Sequence, residues 1–100
     1  MTASKQAVQF LLQPVLDWLS HGGDTWQMDL NYWSTRHELM DSGEMFDGAP
    51  SEFLSNIDTA MDSYSPDPDP EYHQIDEAQL RLELERAIAA LRELGYLAEK

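Results

Sequence analysis

Residues 76–95 read DEAQLRLELERAIAALRELG, and this stretch decides the fold. Asp76 precedes a run in which apolar residues recur every three or four positions, and Gln79 follows it at the spacing of a capping box. The apolar stripe consists of Leu80, Leu84, Ala87, Ile88, Leu91 and Leu94. Gly95 ends the pattern, because glycine readily adopts the left-handed conformation that closes a helix. The stretch therefore predicts an amphipathic helix between Asp76 and Gly95.

Another amphipathic pattern opens the chain. Its stripe consists of Val8, Leu11, Leu12, Val15, Leu16 and Leu19. Ser4 is the predicted N-cap, and His21-Gly22-Gly23 is the stop signal. Pro14 lies inside the pattern, so the helix either kinks there or is regular only from about Gln13. We favour the kink, because the apolar stripe runs on through Pro14.

Two further helices are predicted in the middle of the chain. The first begins at an Asp24 N-cap, with Gln27 as its capping-box partner, and continues to about Asp41. Its stripe at helical spacing is Trp26, Leu30, Trp33, His37 and Met40, with the tryptophans expected in the core and His37 at its edge. The second is capped by Ser51 and ends before Pro66, because a residue ahead of proline avoids the helical conformation. Its predicted buried residues are Phe53, Ile57, Ala60, Met61 and Tyr64.

Four amphipathic helices with short links pack most simply as an antiparallel four-helix bundle, so the predicted fold is all-α. The length of 100 residues and the 42% apolar content predict one helical domain over residues 1–100. No apolar run reaches the length of a membrane helix, no signal peptide opens the sequence, and there is no cysteine. We therefore expect a soluble, cytoplasmic protein without disulfides.

The negative charge is concentrated in one segment. The formal net charge is −13, and residues 37–80 contain twelve acidic residues without a single Lys or Arg. This charge argues against direct nucleic-acid binding, because few cations are available to neutralise phosphates. A surface that only keeps a protein in solution usually mixes both signs. The concentration of acids therefore favours a surface that meets a strongly basic partner.

Five acids form the candidate contact surface. Proline occupies every second position of SPDPDPE at residues 65–71, which predicts a stiff, extended connector. The candidate residues are Asp58 and Asp62 on the preceding helix, opposite its apolar stripe, and Asp67, Asp69 and Glu71 in the connector. A row of anions on a rigid support resembles a nucleic-acid backbone in charge. A basic nuclease cleft would match it, and electrostatic steering would accelerate the association.

The motifs of known catalytic and metal sites are incomplete in this sequence. His37-Glu38 begins like a zinc-protease helix, but Asp41 stands where the second histidine is required. The acids of residues 67–71 alternate like calcium ligands, but Tyr72 occupies the position at which a calcium loop needs glycine. We therefore predict that the protein is not an enzyme and that it uses no metal and no cofactor.

The sequence around the connector is similar to that of a known family. Residues 57–69, IDTAMDSYSPDPD, with Ile75-Asp76-Glu77 and residues 80–84, LRLEL, resemble the colicin D type of bacterial immunity protein. Members of that family share a helix that ends in an aromatic residue, a Pro-Asp-x-Asp connector and an Ile-Asp start to the final helix. The resemblance covers roughly residues 57–86. It implies a four-helix bundle that binds a cognate tRNA-cleaving toxin domain, in a 1:1 complex, and covers its active site.

The resemblance also implies which residues make the contact. It points to Asp62, Asp67 and Asp69, whereas Ser65 stands where the family would have an acid. Asp58 and Glu71 enter the candidate set from helix geometry and charge alone. The alternative is a regulatory adaptor that binds its partner through an apolar groove between helices, with the acids serving only solubility. Salt separates the two, because screening weakens an ionic contact and leaves a groove contact almost unchanged.

Overall fold

The computed structural model describes residues 5–43 and 50–97, and these form an all-α bundle. The helices are α1 (Lys5–His21), α2 (Thr25–Asp41), α3 (Ser51–Ser63) and α4 (Glu77–Glu93), with a short 3-10 helix at Pro70–Tyr72. α1 packs against α2, α3 packs against α4, and α1 also contacts α4. The predicted all-α four-helix fold is confirmed. None of the helices in the described ranges is long and apolar enough to cross a membrane.

The residues that begin and end α4 act as the sequence predicts, with one difference. Asp76 accepts a hydrogen bond from the backbone N–H of Gln79 at 2.8 Å. The Gln79 side chain does not return to Asp76 but donates to Glu83 Oε1 at 2.9 Å, so only half of the capping box forms. At the other end, Gly95 has a φ of 83°, and its N–H donates to the carbonyl of Arg92 at 3.0 Å. This left-handed residue ends the helix.

α1 is one helix through Pro14, so the interpretation that it is regular only from about Gln13 is wrong. The helix ends at His21, and the N–H of Gly22 donates to the carbonyl of Trp18 at 2.8 Å. The predicted cap Ser4 lies outside the described residues. The apolar stripe of α1 therefore continues through Pro14, and its buried residues pack into the core.

The core is formed mainly by α1, α3 and α4. Its fully buried aliphatic residues on these helices are Val8, Leu11, Leu12, Val15, Leu54, Ile57, Leu80, Leu84, Ile88 and Leu91. Leu54 was missing from the stripe predicted for α3, whereas Phe53 and Tyr64 are only partly buried. The prediction of Ser51 as a cap is wrong, because Pro50 holds the capping position and Ser51 is the first helical residue. Leu94 lies at the C-cap of α4, where it is exposed instead of buried.

The buried face predicted for α2 is wrong. Thr25, Met28 and Tyr32 are the buried residues of this helix. Of the predicted stripe, Trp33 is partly buried and His37 is exposed. The other three members have exposed fractions of 66% for Trp26, 47% for Leu30 and 56% for Met40. The helix is thus rotated so that Tyr32 faces the core, and much of its most apolar stripe remains in solvent.

Candidate protein-binding surface

The five acids singled out in the sequence have different surroundings. Asp62, Asp67 and Glu71 are exposed, whereas Asp58 and Asp69 are partly buried. Asp62 lies in the last turn of α3, and the chain passes directly from there into the proline-rich loop that carries the other three. α3 and the loop that follows it therefore present these acids next to each other along the chain.

Asp58 is held inside the fold. Its Oδ2 lies 2.7 Å from Nη2 of Arg36, and its Oδ1 accepts a hydrogen bond from the Tyr32 hydroxyl at 2.6 Å. The side chains of Arg36 and Asp58 are only 16% and 24% exposed. A mostly buried carboxylate whose two oxygens each accept from an internal donor has little left to offer a partner. This corrects the assignment of Asp58 to the contact surface, because its charge is already compensated by Arg36.

The same cluster fixes the relation of α2 to α3. Tyr32 is fully buried, and burial raises the pKa of its hydroxyl, with the hydrogen bond to Asp58 and the Asp58 charge acting in the same direction. The hydroxyl therefore stays protonated and donates to the carboxylate. Two helices that otherwise share few contacts are joined by a charge-assisted hydrogen bond and an ion pair. Asp58 thus has a structural role that local sequence reasoning does not detect.

Asp62, one turn further along α3, has a different environment. Its side chain is exposed and makes no hydrogen bond or ion pair within residues 5–43 and 50–97. Its charge acts on Asp29 of α2, another acid. Burial raises the pKa of Asp29, a hydrogen bond from Trp33 opposes that rise, and the charge of Asp62 adds to it.

Asp29 was not singled out by the sequence. It is partly buried, and its Oδ1 is inaccessible and has no hydrogen-bond partner among the described residues. The only local signal was an acid one helical turn before Trp33, which by itself points to no function. The charge that acts on it from α3 belongs to Asp62, which is distant in sequence.

The loop after α3 closes on itself instead of extending outward. The N–H of Ser65 donates to the carbonyl of Ile75 at 3.1 Å, and the N–H of Ile75 donates to the carbonyl of Ser63 at 2.8 Å. Tyr64 and Ile75 therefore form a parallel bridge at the base of the loop. We call this pair of hydrogen bonds the neck of the loop. It fixes the loop ends directly beside the last turn of α3.

Within the loop, Asp69 builds a turn. Its Oδ1 accepts from the N–H of Glu71 at 3.0 Å, and its own N–H donates to Oε1 of Gln74 at 2.9 Å. The prediction of an extended connector over residues 65–71 is therefore wrong at its end, where a 3-10 helix begins at Pro70 and runs to Tyr72. Proline fixes φ near a value that extended and 3-10 backbones share, so ψ is free to turn the chain. Asp69 shapes the loop, whereas the Asp67 and Glu71 carboxylates are left exposed.

Ser65 also has an internal role. Its hydroxyl accepts a hydrogen bond from the N–H of Asp67 at 3.3 Å, which orients the first turn of the loop. In the described part of the chain no group of three or more acidic or histidine side chains is arranged to hold a metal ion. The exposed carboxylates that remain are Asp62, Asp67 and Glu71, and we refer to them as the acidic surface.

No protein-family model, curated protein or solved structure matches this chain.

Proposed function

We propose that this protein is an immunity-type inhibitor that binds a basic nuclease domain, of the tRNA-cleaving toxin class, through its acidic surface. Inhibition would be stoichiometric, because occupying the cleft excludes tRNA without any chemical step. The sequence similarity to colicin D-type immunity proteins supplies the class of toxin. The charge and the geometry supply the mode of binding.

The observation that carries this proposal is the contrast among the acids. Asp58 has two internal donors, but the carboxylates of the acidic surface have no internal hydrogen bond or ion pair within the described ranges. Residues 37–80 contain no Lys or Arg that could supply one from the same segment. Like charges held near each other in a helix and its following loop destabilise the free protein slightly. A cationic cleft removes that repulsion and gains charge-assisted hydrogen bonds.

The electrostatics also favour a protein partner over a nucleic acid or an anionic membrane. A molecule with a net charge of −13 is repelled by nucleic acids and by anionic membranes. A basic cleft that evolved to hold tRNA phosphates is attracted to it and captured at an increased rate. The closed neck keeps the loop acids near Asp62, so less ordering is required when the partner docks.

The first test uses the reading frame beside this chain's gene, where the proposal expects a large protein with a basic C-terminal domain. That domain is purified and incubated with tRNA, with and without one equivalent of this protein, and cleavage is followed on a gel. We expect complete inhibition near a 1:1 ratio. Raising the salt from about 0.05 to about 0.5 M should weaken the complex, because the Debye length contracts.

Substitutions then locate the contact. We expect Asp62→Ala and Asp67→Ala each to raise the Kd by about 30-fold, which corresponds to about 2 kcal/mol for stranding a partner cation. Glu93→Ala is the matched control, because Glu93 is an exposed acid at the far end of α4. Equal effects of all three variants would show that the acidic surface is not the contact. Uninhibited tRNA cleavage would refute the proposed function itself.

A second candidate function, a non-catalytic adaptor, is favoured by one observation. α2 exposes Trp26, Leu30 and Met40, a set of apolar side chains that a monomeric protein does not need in solvent. An adaptor using this face alone would bind its partner with little response to salt. The salt titration described above therefore distinguishes the adaptor from the inhibitor.

A further inference from the structure

The outer side of α2 carries an apolar strip, formed by Trp26, Leu30, Trp33 and Met40. Their spacings of four, three and seven residues place them on one side of the helix. Trp33 packs partly against the core and contacts the Tyr32 ring edge-on, at a centroid distance of 5.3 Å, whereas the other three are exposed. The strip is thus anchored at its centre and open to solvent along its length.

The strip lies beside an acid of its own helix. Trp33 donates a hydrogen bond to Asp29, and the charge of Asp62 on α3 contributes to the raised pKa of Asp29. Apolar and acidic groups therefore meet at one edge of α2. Interfaces commonly combine these elements, with aromatic residues at the centre and charged residues around them.

Charge determines which occupant fits the strip. A second copy of this chain would bring two charges of −13 together, and an anionic bilayer or a nucleic acid would add further negative charge. A protein segment with both basic and apolar side chains gains from both parts of the surface. Its apolar side chains would cover the strip, and its Lys or Arg side chains would be attracted by the negative charge of Asp29 and Asp62.

We infer that the apolar strip of α2, together with Asp29 and Asp62, is a docking site for a basic, amphipathic segment of a protein partner. That this partner is the toxin rests on the proposed function. The strip then forms the apolar part of the interface whose ionic part is the acidic surface. The partner is selected by both properties, so a cationic surface without apolar side chains binds less tightly.

The test uses a defined probe, a synthetic 14-residue peptide of leucine and lysine with helical periodicity. A peptide in which serine replaces leucine has the same charge. Affinities are measured by isothermal titration calorimetry at low salt. We expect the leucine-lysine peptide to bind at least tenfold more tightly than the serine-lysine peptide. Trp26→Ala/Leu30→Ala should remove that advantage, and Trp26→Ala alone should remove part of it.

Leu82→Ala is the matched control, because Leu82 is an exposed leucine on α4, away from the strip. It should bind both peptides as the unaltered protein does, and circular dichroism should show the same helix content for every variant. Equal affinity for the two peptides would overturn the inference, as would an unchanged affinity in the double variant. Self-association that Trp26→Ala abolishes would identify a second copy as the occupant and also overturn it.

The nuclease assay separates this inference from the proposed function. If the double variant binds the leucine-lysine peptide poorly and also inhibits the nuclease poorly, both stand. If tRNA cleavage is not inhibited by the unaltered protein but the peptide still requires the strip, the proposed function fails and the docking site remains. If inhibition is normal and neither it nor peptide binding depends on the strip, the docking site fails and the proposed function remains.

Discussion

Asp58 and Asp62 lie one turn apart on α3, are the same residue type and carry the same formal charge, yet the molecule uses them differently. Asp58 receives donors from Arg36 and Tyr32 and joins α3 to α2. Asp62 faces solvent, with the acid Asp29 nearby. The difference shows that the charge of a segment does not by itself identify its contact residues. What distinguishes them is whether the fold has already supplied a partner.

The largest expected effect concerns Asp58. Asp58→Ala removes the carboxylate that joins α3 to Arg36 and to the buried Tyr32 hydroxyl on α2, and we expect the free energy of unfolding to fall by about 3 kcal/mol. Urea unfolding measures this loss. Asp62→Ala is the control on the same helix and should change stability by less than about 0.5 kcal/mol. Equal losses in the two variants would refute the distinction drawn between these acids.

A smaller effect is expected when only the hydrogen bond from Tyr32 is removed. Tyr32→Phe keeps the buried ring and the ion pair but deletes the hydroxyl, so the free energy of unfolding should fall by about 1.5 kcal/mol. The measurement is again urea unfolding. Combining Tyr32→Phe with Asp58→Ala should cost less than the sum of the two, because both remove the same hydrogen bond. Additive losses would indicate that the two groups do not interact.

The smallest effect concerns Asp29 and has the opposite sign. Because its folded pKa is raised above 3.8, folding favours the protonated form, and the stability that this provides is lost as pH rises through the folded pKa. Asp29→Asn is neutral at every pH and keeps an acceptor for Trp33. It should therefore be more stable than the unaltered protein at pH 7, by up to about 1 kcal/mol, because solvent screens a partly buried group.

Unfolding curves at about pH 3 and about pH 7 check this sign. The difference in stability between Asp29→Asn and the unaltered protein should vanish at the lower pH, where Asp29 is protonated in both the folded and the unfolded state. It should increase as pH rises. A variant less stable than the unaltered protein at pH 7 would mean that Asp29 has a cationic partner. Toxin or peptide binding should weaken in the same variant, so stability and affinity would change in opposite directions.

The sequence predicted the helices well because their ends are encoded locally. Asp24 and Asp76 cap the helices that follow them, and Gly22 and Gly95 adopt the left-handed conformations that terminate α1 and α4. These signals depend on neighbours within one turn, which a sequence shows directly. The stripes of α1 and α4 were also predictable, since each has one clear apolar side.

The rotation of α2 was not predictable in this way. Periodicity assigned its most apolar side, including Trp26 and Leu30, to the core, but the structure buries Met28 and Tyr32. Tyr32 is buried where its hydroxyl reaches Asp58, a partner 26 residues away along the chain. Pairings over such distances have no local signature. For the same reason Asp58 was mistaken for a contact residue and Asp29 was overlooked.

The neck at Tyr64 and Ile75 has a consequence for how this scaffold can diversify. Two backbone hydrogen bonds hold the loop ends, and they depend on main-chain atoms of Ser63, Ser65 and Ile75 and not on the side chains between. Insertions or charge replacements at the loop tip therefore leave the register of α3 and α4 unchanged. If the proposed function holds, the tip can acquire a new specificity by small steps, while the bundle beneath it keeps its packing.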